Sequence, residues 1–410
     1  MLLNSFKLFL AALLMLLLAA CGGGSAAPAA IGLTAKASES AVTVTWDMTP
    51  GVEYWLFCVP TSSAPADFSS MTPWISLSVG GARIKVSSPY VVSGLVNGTS
   101  YTFSVNGRID GGPGGPGAIP AAATPMLAGS TWTAGTAAGS NALKSVMLGA
   151  TYVAAGAGGA MYSSPDGVTW TAIANTNAAS TNLNGGAFYS TYKVVGDGGL
   201  VLTSSDATTW TAQTSGTSNN LYALASNSLL NVAVGANGTI ITSPDGMTWT
   251  SRTSTTTQPL YGVSYSAYNV GTNTAGTWVA VGAANTLLES PDGVTWSPVT
   301  LTTPSADLRG ITYGASTFVA VGASGTVLSS TDGVNWTLRT TPVTANLNAV
   351  TYGNQFVTAG AGGSAFTSAD GITWTNTDSA TKTSNGLYAV VRGTSIVVAV
   401  GDLGTNLAAK

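Results

Sequence analysis

The chain contains no histidine among its 410 residues. Histidine is the side chain that proteins use most often as a metal ligand and as a general base near neutral pH. Its absence also excludes a Ser-His-Asp triad. Two carboxylates can hydrolyse a glycosidic bond without histidine, so a glycoside hydrolase stays possible. The remaining chemistry depends on aspartate, tyrosine, arginine and lysine, and on where the fold brings them together.

Aspartate recurs in a short motif that ends in tryptophan. The five fullest copies are Ser164-Pro-Asp-Gly-Val-Thr-Trp170, Ser243-Pro-Asp-Gly-Met-Thr-Trp249, Ser290-Pro-Asp-Gly-Val-Thr-Trp296, Ser330-Thr-Asp-Gly-Val-Asn-Trp336 and Ser368-Ala-Asp-Gly-Ile-Thr-Trp374. A looser copy is Ser204-Ser-Asp-Ala-Thr-Thr-Trp210. An Asp-Gly pair predicts a two-residue hairpin turn, because such a turn needs positive φ angles that Asp and Gly tolerate. These aspartates are therefore predicted to form turns rather than to act as catalysts.

The motif belongs to a unit that repeats about every 40 residues, which indicates a repeat architecture. A leucine opens each unit: Leu143, Leu183, Leu221, Leu260, Leu308, Leu347 and Leu387. A glycine follows in an apolar strand: Gly156, Gly196, Gly235, Gly282, Gly322, Gly360 and Gly401. The spacing from this glycine to the motif tryptophan is constant in the complete units, as in Gly156 to Trp170. A constant span indicates a rigid unit of strands and a tight turn.

Many short strands of even spacing, four in each unit, describe the blades of a β-propeller. The last unit stops at Lys410 before its tryptophan motif, whereas Ser130-Thr-Trp132 stands alone at the other end. Joining these ends in one blade would close the ring and remove two exposed sheet edges. No stretch after the N-terminus has the pattern of an amphipathic helix. The sequence therefore predicts an all-β fold in which residues 127–410 form a seven-bladed propeller, its last blade closed by N- and C-terminal strands.

The motif resembles the Asp-box, or bacterial neuraminidase repeat, Ser-x-Asp-x-Gly-x-Thr-Trp. Ser164, Asp166, Gly167, Thr169 and Trp170 match it with one residue deleted between Asp and Gly. The order of landmarks is also similar to the propellers of photosystem II assembly factors. In these families the Asp-box is a structural hairpin on the outer part of the blade. Such propellers serve as enzymes, receptors and assembly scaffolds alike, so the resemblance implies a fold and leaves the function open.

Sialidases share this fold, and the resemblance implies three arginines that converge on a substrate carboxylate, with a tyrosine and an acidic partner. Residues 127–410 contain Arg252, Arg309, Arg339 and Arg392, which occupy non-equivalent positions in several blades. This spread does not predict convergence, and the Phe/Tyr-Arg-Ile-Pro signature of that family is absent. A sialidase-like glycan hydrolase or a lectin is therefore the alternative to a non-enzymatic binding scaffold.

Equivalent residues in the seven blades should form a ring around the central channel. The residue after each opening leucine begins the innermost strand at the channel mouth: Lys144, Asn184, Tyr222, Tyr261, Arg309, Asn348 and Tyr388. Tyrosine and arginine are enriched at interface hot spots. We predict that this mouth ring binds a protein segment or a glycan, with no catalytic residue, metal or cofactor. A solvated rim without a ligand is the alternative.

Residues 1–20 are predicted to be a lipoprotein signal peptide. Lys7 supplies a positive charge, and the apolar run that follows is too short for a comfortable membrane span. Leu18-Ala-Ala-Cys21 resembles a bacterial lipobox, which implies cleavage before Cys21 and lipids that anchor the protein to a membrane. Gly22 rather than Asp after the cysteine implies, in that family, the outer membrane. Residues 21–27 are predicted to be a flexible tether, and an ordinary secretory signal is the alternative.

Residues 28–126 are predicted to form a separate β domain, because alternating strands are separated by Gly, Pro and Ser clusters. These strands resemble a fibronectin type III β-sandwich: Trp46 falls on the second strand, and Leu95 with Tyr101 matches the tyrosine corner. The resemblance implies a spacer or an adhesive unit. Cys58 lies in an apolar strand and is predicted to be buried and inert.

Charged residues make up 7% of the chain and the net charge is −3, so no basic patch is expected and nucleic acid is not a plausible partner. Taken together, these patterns predict a non-enzymatic outer-membrane lipoprotein that scaffolds the binding or assembly of a cell-envelope protein or glycan. A purely structural or adhesive component is a third possibility. The sequence leaves open whether the protein faces the periplasm or the outside.

Overall fold

A computed structural model describes residues 25–266, 276–377, 379–393 and 395–409. The chain divides into two compact units between Leu127 and Ala128. The predicted signal peptide and Cys21 lie outside the described residues. No helix in the described part of the chain is long and apolar enough to cross a membrane.

The first unit contains two antiparallel sheets that share one core. The strands of the first sheet are, in spatial order, Thr34–Ser38, Ala41–Thr45 and Tyr90–Ser93. The strands of the second sheet are, in spatial order, Arg83–Val86, Val52–Pro60, Tyr101–Ile109 and Ala121–Ala123. Val44 from the first sheet, Leu56 and Phe103 from the second, and Trp46 belong to the same buried cluster. Alternating side chains from both sheets therefore form the core of this unit.

The first unit also contains an α-helix, Thr72–Leu77, and a 3₁₀ turn, Thr61–Ser63. The expectation of a chain without a helix after the N-terminus is wrong here. The helix has Pro73 in its first turn, where proline is tolerated, and it buries Trp74. Because the helix is 6 residues long, it is too short to display a helical hydrophobic period.

The end of the predicted tether is packed against the first unit. The backbone N–H of Ile109 donates to the carbonyl of Ser25, and Ala26 forms a bridge with Arg108. Ala27 is buried. A flexible tether over residues 21–27 is therefore wrong for residues 25–27, because the edge of strand Tyr101–Ile109 supplies backbone partners that the local composition does not reveal.

The second unit contains seven four-stranded sheets within its described residues, and we number these blades 1 to 7 along the chain. The innermost strands are Leu143–Leu148, Leu183–Tyr189, Leu221–Ser226, Leu260–Tyr265, Leu308–Gly314, Leu347–Tyr352 and Leu387–Arg392. The second strands are Tyr152–Gly156, Thr191–Gly196, Asn231–Gly235, Trp278–Gly282, Thr317–Gly322, Phe356–Gly360 and Val397–Gly401. The third strands are Met161–Ser164, Val201–Ser204, Ile240–Ser243, Leu287–Ser290, Val327–Ser330, Phe366–Ser368 and Asn406–Ala409. The outer strands are Thr171–Ala172, Thr211–Gln213, Thr250–Arg252, Ser297–Pro298, Thr337–Arg339, Thr375–Asn376 and Trp132–Ala134.

A 3₁₀ turn follows the second strand in every blade. These turns are Ala157–Gly159, Asp197–Gly199, Ala236–Gly238, Ala283–Asn285, Ala323–Gly325, Ala361–Gly363 and Asp402–Gly404. A further 3₁₀ turn, Ser379–Thr381, lies between blades 6 and 7.

Blade 7 contains strands from both ends of the unit. Its outer strand, Trp132–Ala134, pairs with the C-terminal strand, with Trp132 opposite Ala409 and Ala134 opposite Leu407. Each innermost strand contacts the innermost strands of its neighbours, and that of blade 7 contacts that of blade 1. The predicted closure of a seven-bladed ring by its two ends is confirmed.

Each motif tryptophan packs between its own blade and the preceding one. Trp296 of blade 4, for example, shares a buried cluster with Val232 and Ile240 of blade 3. Trp132 of blade 7 shares a cluster with Val357 and Ala359 of blade 6. Tryptophan buries a large apolar area, so this residue supplies much of the contact between blades.

The aspartate of each motif caps a loop rather than occupying a two-residue turn. Residues 165–170 separate the third and outer strands of blade 1. One oxygen of Asp166 accepts hydrogen bonds from the N–H groups of Val168 and Thr169, at 2.9 and 2.8 Å. Only the glycine has a positive φ, which is 74° at Gly167. The two-residue hairpin is therefore wrong, whereas a structural role for the aspartates agrees with these bonds.

These hydrogen bonds also set the acidity of the motif carboxylates. In blade 5, burial raises the pKa of Asp332, but hydrogen bonds from Asn335, Val334 and Ser330 outweigh it and lower that pKa to about 2. The donors stabilise the charged carboxylate, so protonation would weaken the loop.

Candidate functional site

All seven side chains of the predicted mouth ring line one cavity, together with Asp307. The cavity has a volume of about 390 Å³. Each ring residue immediately follows the buried leucine that opens its strand, so the leucine fixes the start of the strand in the core and its successor lies at the mouth. The ring was predicted from repeat register alone. The geometry places its members together, whereas its role in binding stays a prediction.

The first half of the ring forms a chain of hydrogen bonds across blades 1 to 3. The ammonium group of Lys144 donates to Oδ1 of Asn184 at 3.3 Å. Nδ2 of Asn184 donates to the backbone carbonyl of Leu221 at 3.0 Å and to Asp197 at 2.8 Å. Tyr222 follows next in the ring. Both ends of the asparagine side chain are therefore occupied by protein groups.

Blades 5 to 7 repeat this arrangement. Nη1 of Arg309 donates to Oδ1 of Asn348 at 2.9 Å. Nδ2 of Asn348 donates to the backbone carbonyl of Leu387 at 2.8 Å, and Tyr388 follows in the ring. The mouth thus contains two matching arcs, each made of a cation, an asparagine and a tyrosine. Tyr261 of blade 4 lies between them.

The tyrosines give the mouth an aromatic part. The rings of Tyr222 and Tyr261 lie 5.7 Å apart with a tilt of 43°, within the range of favourable aromatic pairs. Burial raises the pKa of Tyr261, and the negative charge of Asp307 adds to this rise. Burial and a hydrogen bond to Asp402 raise the pKa of Tyr388. Both phenols therefore stay protonated at neutral pH, and the hydroxyl of Tyr388 donates to Asp402.

Asp307 is the lining residue that the sequence analysis missed. It directly precedes Leu308, and its carboxylate accepts a hydrogen bond from the N–H of Ala284 in the 3₁₀ turn of blade 4 at 3.1 Å. Equivalent side chains do the same at three other blade junctions: Asn182, Asn220 and Asn346. The recurrence of Asn or Asp just before the opening leucine was the available signal. These residues join neighbouring blades, and Asp307 adds a negative charge to the mouth.

The seven ring residues also line a second cavity of about 220 Å³, which continues between the innermost strands. The channel wall contains small or apolar residues, such as Gly185, Ala223 and Val263. The hydroxyl of Ser145 is buried in this wall without a hydrogen-bond partner among the described residues. The charged and aromatic groups are therefore concentrated at the mouth.

The other arginines of the propeller lie elsewhere. Arg252 and Arg339 end outer strands, where they donate to Thr242 and to Ser329. Arg392 ends the innermost strand of blade 7, at the opposite end from Tyr388. Arg309 is the one arginine that lines the mouth cavity among the described residues. The geometry therefore does not bring three arginines to a common point.

The remaining points concern Trp278, Cys58 and metal-ligating side chains. Trp278 occupies in its strand the place that Phe318 and Phe356 occupy in the next two blades, and all three are buried. Cys58 is buried, and burial raises the pKa of its thiol to about 11, which agrees with an inert thiol. No group of three or more metal-ligating side chains occurs in the part of the chain that the structure describes.

No protein-family model matches the sequence, and no curated protein matches it. Solved structures do match. YCF48 bound to D1 peptide has a TM-score of 0.56 at 18% identity and covers 70% of this chain and 99% of its own. YCF48 from Cyanidioschyzon merolae has a TM-score of 0.54 at 16% identity, over 68% and 98% of the two chains. The WD40 β-propeller domain of Doa1 has a TM-score of 0.52 at 8% identity, over 68% and 97%. The chain is thus similar in fold to β-propellers.

Proposed function

We propose that this chain is a non-enzymatic scaffold whose propeller takes up a segment of a cell-envelope protein at the mouth ring. The convergence of seven polar, aromatic and basic side chains on one cavity carries this proposal. Binding sites are concave and combine apolar surface with a few placed polar groups. YCF48, which has a similar fold, has been solved with a bound D1 peptide, and this supports a peptide as the ligand class.

The placement of the arginines favours binding over glycan hydrolysis. A sialidase-like reaction would need three arginines around one carboxylate, and Arg309 is the one at the mouth among the described residues. A glycan hydrolase is therefore the less supported function. Turnover of fluorogenic glycosides by the purified protein would reverse this ranking.

We further propose that residues 28–126 form a fibronectin type III-like module. Two observations support it: the three- and four-stranded sheets with a common core, and the hydroxyl of Tyr101, which accepts a hydrogen bond from the N–H of Val96 at 3.1 Å. The second is the contact expected of a tyrosine corner. Its proposed role is to space the propeller from an anchor.

The proposed anchor is a lipid on Cys21 that holds the protein at the outer membrane. The lipobox-like sequence before Cys21 supports it. We expect Cys21→Ser to abolish palmitate labelling and to release the protein from the membrane fraction. Unchanged labelling or unchanged membrane association would reject the anchor. The proposal for the mouth does not depend on this result.

The binding role is tested by a pair of matched double variants. Tyr261→Ala with Arg309→Ala removes one tyrosine and one arginine from the mouth. Tyr189→Ala with Arg339→Ala removes the same types from an exposed position and from an outer strand. We expect envelope proteins that crosslink to the unaltered protein to be lost with the mouth variant and kept with the control, as measured by quantitative mass spectrometry. The same crosslinked proteins with both variants would overturn the proposal.

A further inference from the structure

The mouth offers many more hydrogen-bond donors than acceptors, and this imbalance bears on the chemistry of its ligand. Lys144 has three N–H donors and uses one on Asn184, and Arg309 has five and uses one on Asn348. Tyr222 and Tyr261 add hydroxyl groups. Both asparagines have their oxygen and nitrogen engaged. Asp307 is the one carboxylate in the lining of this cavity, and it already accepts from Ala284. Asp197 and Asp402 lie next to the ring outside this lining, and their carboxylates are engaged with Asn184 and Tyr388.

The two cations are held in place without being neutralised. Each is half-buried and bonded to a neutral asparagine, and neither forms a salt bridge with a carboxylate of the described residues. A fixed side chain loses less entropy when it binds a ligand. Retained charge and fixed position together make each cation a site for an anion.

The cations occupy matching places in the two arcs. Lys144 belongs to blade 1 and Arg309 to blade 5, with blades 2 to 4 between them on one side and blades 6 and 7 on the other. Going round the ring, Tyr388 precedes Lys144, and Tyr261 precedes Arg309. Each cation therefore has a tyrosine on one side and an asparagine on the other, and the hydroxyl of Tyr388 donates to Asp402. The mouth contains two similar anion subsites on opposite sides of the channel.

A carboxylate is the anion that suits both subsites. The guanidinium group of arginine matches a carboxylate with two parallel hydrogen bonds, and the ammonium group of lysine binds it as a point charge. A neutral glycan presents hydroxyl groups that need acceptors as well as donors, and the mouth has few free acceptors.

We propose that the mouth binds an acidic peptide segment through two carboxylate subsites, one at Lys144 and one at Arg309 with Tyr261. This inference rests on the proposed function and specifies its ligand. The two carboxylates must be spaced to reach both sides of the mouth, so binding depends on their separation in the peptide as well as on their number.

Fluorescein-labelled peptides with two glutamates separated by one to six alanines test the proposal by fluorescence polarisation. We expect one spacing to bind best, and replacement of either glutamate by glutamine to weaken that peptide about tenfold or more, as for hydrogen bonds to charged groups. Lys144→Gln and Arg309→Gln should each weaken it to a similar extent. Arg339→Gln removes an equal charge from blade 5 outside the mouth and should change the affinity less than twofold. In the Arg309→Gln protein, loss of one of the two glutamates should cost little, because its subsite is already gone.

Equal binding of the glutamate and glutamine peptides, or equal loss with Arg309→Gln and Arg339→Gln, would overturn the two subsites. Tighter binding of an oligogalacturonate than of any peptide would overturn the peptide class. Thermal unfolding of each variant, with a midpoint matching that of the unaltered protein, establishes that lost binding reflects the mouth. If envelope proteins still crosslink in a mouth-dependent way while Lys144→Gln has no effect, this inference fails and the proposed function stands. Crosslinking that is unchanged when the mouth side chains are replaced would contradict both this inference and the proposed function.

Discussion

Among single residues, Lys193 departs most clearly from the repeat. The other six blades have valine at this place in the second strand: Val153, Val232, Val279, Val319, Val357 and Val398. Lys193 is 3% exposed. Its ammonium group donates to the hydroxyl of Thr191 at 2.9 Å and to the carbonyls of Tyr189 and Thr191 at 3.3 and 3.4 Å. Burial lowers its pKa from 10.5, because the charged form loses hydration.

We expect Lys193→Met to raise the free energy of unfolding by roughly 1 kcal/mol at pH 7, because a buried charge is replaced by an apolar chain of similar length. The folded-state pKa lies below the unfolded one, so the unfolded chain holds more protons between the two values. The stability of the unaltered protein should therefore rise with pH across that window, up to about pH 10.5. Urea unfolding at pH 7 and pH 10 measures both effects. The difference between the two proteins should shrink at pH 10, and a constant difference would contradict a charged buried lysine.

The sequence was sufficient to place the seven ring residues, because they follow an invariant leucine in strands of fixed register. It was not sufficient for Asp307. That residue precedes its strand, and its position depends on a hydrogen bond to the turn of the neighbouring blade. Contacts between blades are not visible in the pattern of a single blade. The same limit applies to the pairing of cations with asparagines, which joins side chains about 40 residues apart in the chain.

At the scale of the strand, the opening leucines and the glycines that end the second strands predicted the blades, because each of these residues has a role in packing. The opening leucines are buried, and the closing glycines allow two backbones to approach closely. A Cβ on Gly235 would lie 2.0 Å from the carbonyl oxygen of Asn220, so no larger residue fits. Such steric requirements fall at fixed positions along the chain, which is why they could be recognised in sequence.

The loops that carry the aspartates were harder to predict. An Asp-Gly pair is compatible with a two-residue turn, but the side chains of Ser164 and Asp166 bond to backbone groups within the loop instead. These local bonds compete with the strand ladder and lengthen the connection. The looser copy has the same loop with Ala207 at a φ of 64°, where the others have glycine. The hydrogen bonds therefore hold this conformation even where an alanine must adopt it.

For the whole molecule, the split blade makes closure depend on non-covalent pairing. The outer strand of blade 7 is separated from its partner strand by most of the propeller sequence, whereas the outer strand of blade 5 follows its partner after a short loop. The sequence predicted this arrangement because the last unit lacks a tryptophan motif, whereas Trp132 at the other end has no leucine or glycine landmark before it. The packing of residues 25–27 could not be predicted, since it depends on the edge of a distant strand.

Matched proline variants test how much closure contributes. Thr133→Pro and Thr337→Pro place proline at equivalent positions in the outer strands of blades 7 and 5. Proline has no N–H for the ladder and disrupts both strands locally. We expect Thr133→Pro to lower the unfolding temperature further and to expose residues 128–136 to proteolysis, because no short loop joins that strand to its partner strand. Equal melting temperatures and equal proteolysis of the two variants would contradict a closure held by pairing.

The docking of Ser25 on the edge of the first unit determines how far the folded protein can stand from a lipid on Cys21. Four residues, 21–24, precede Ser25 from the proposed lipid site onward, and four residues span about 14 Å at most. The first unit of a molecule anchored in this way would thus be held within that distance of the headgroups. Distance from the bilayer would then come from the folded modules themselves.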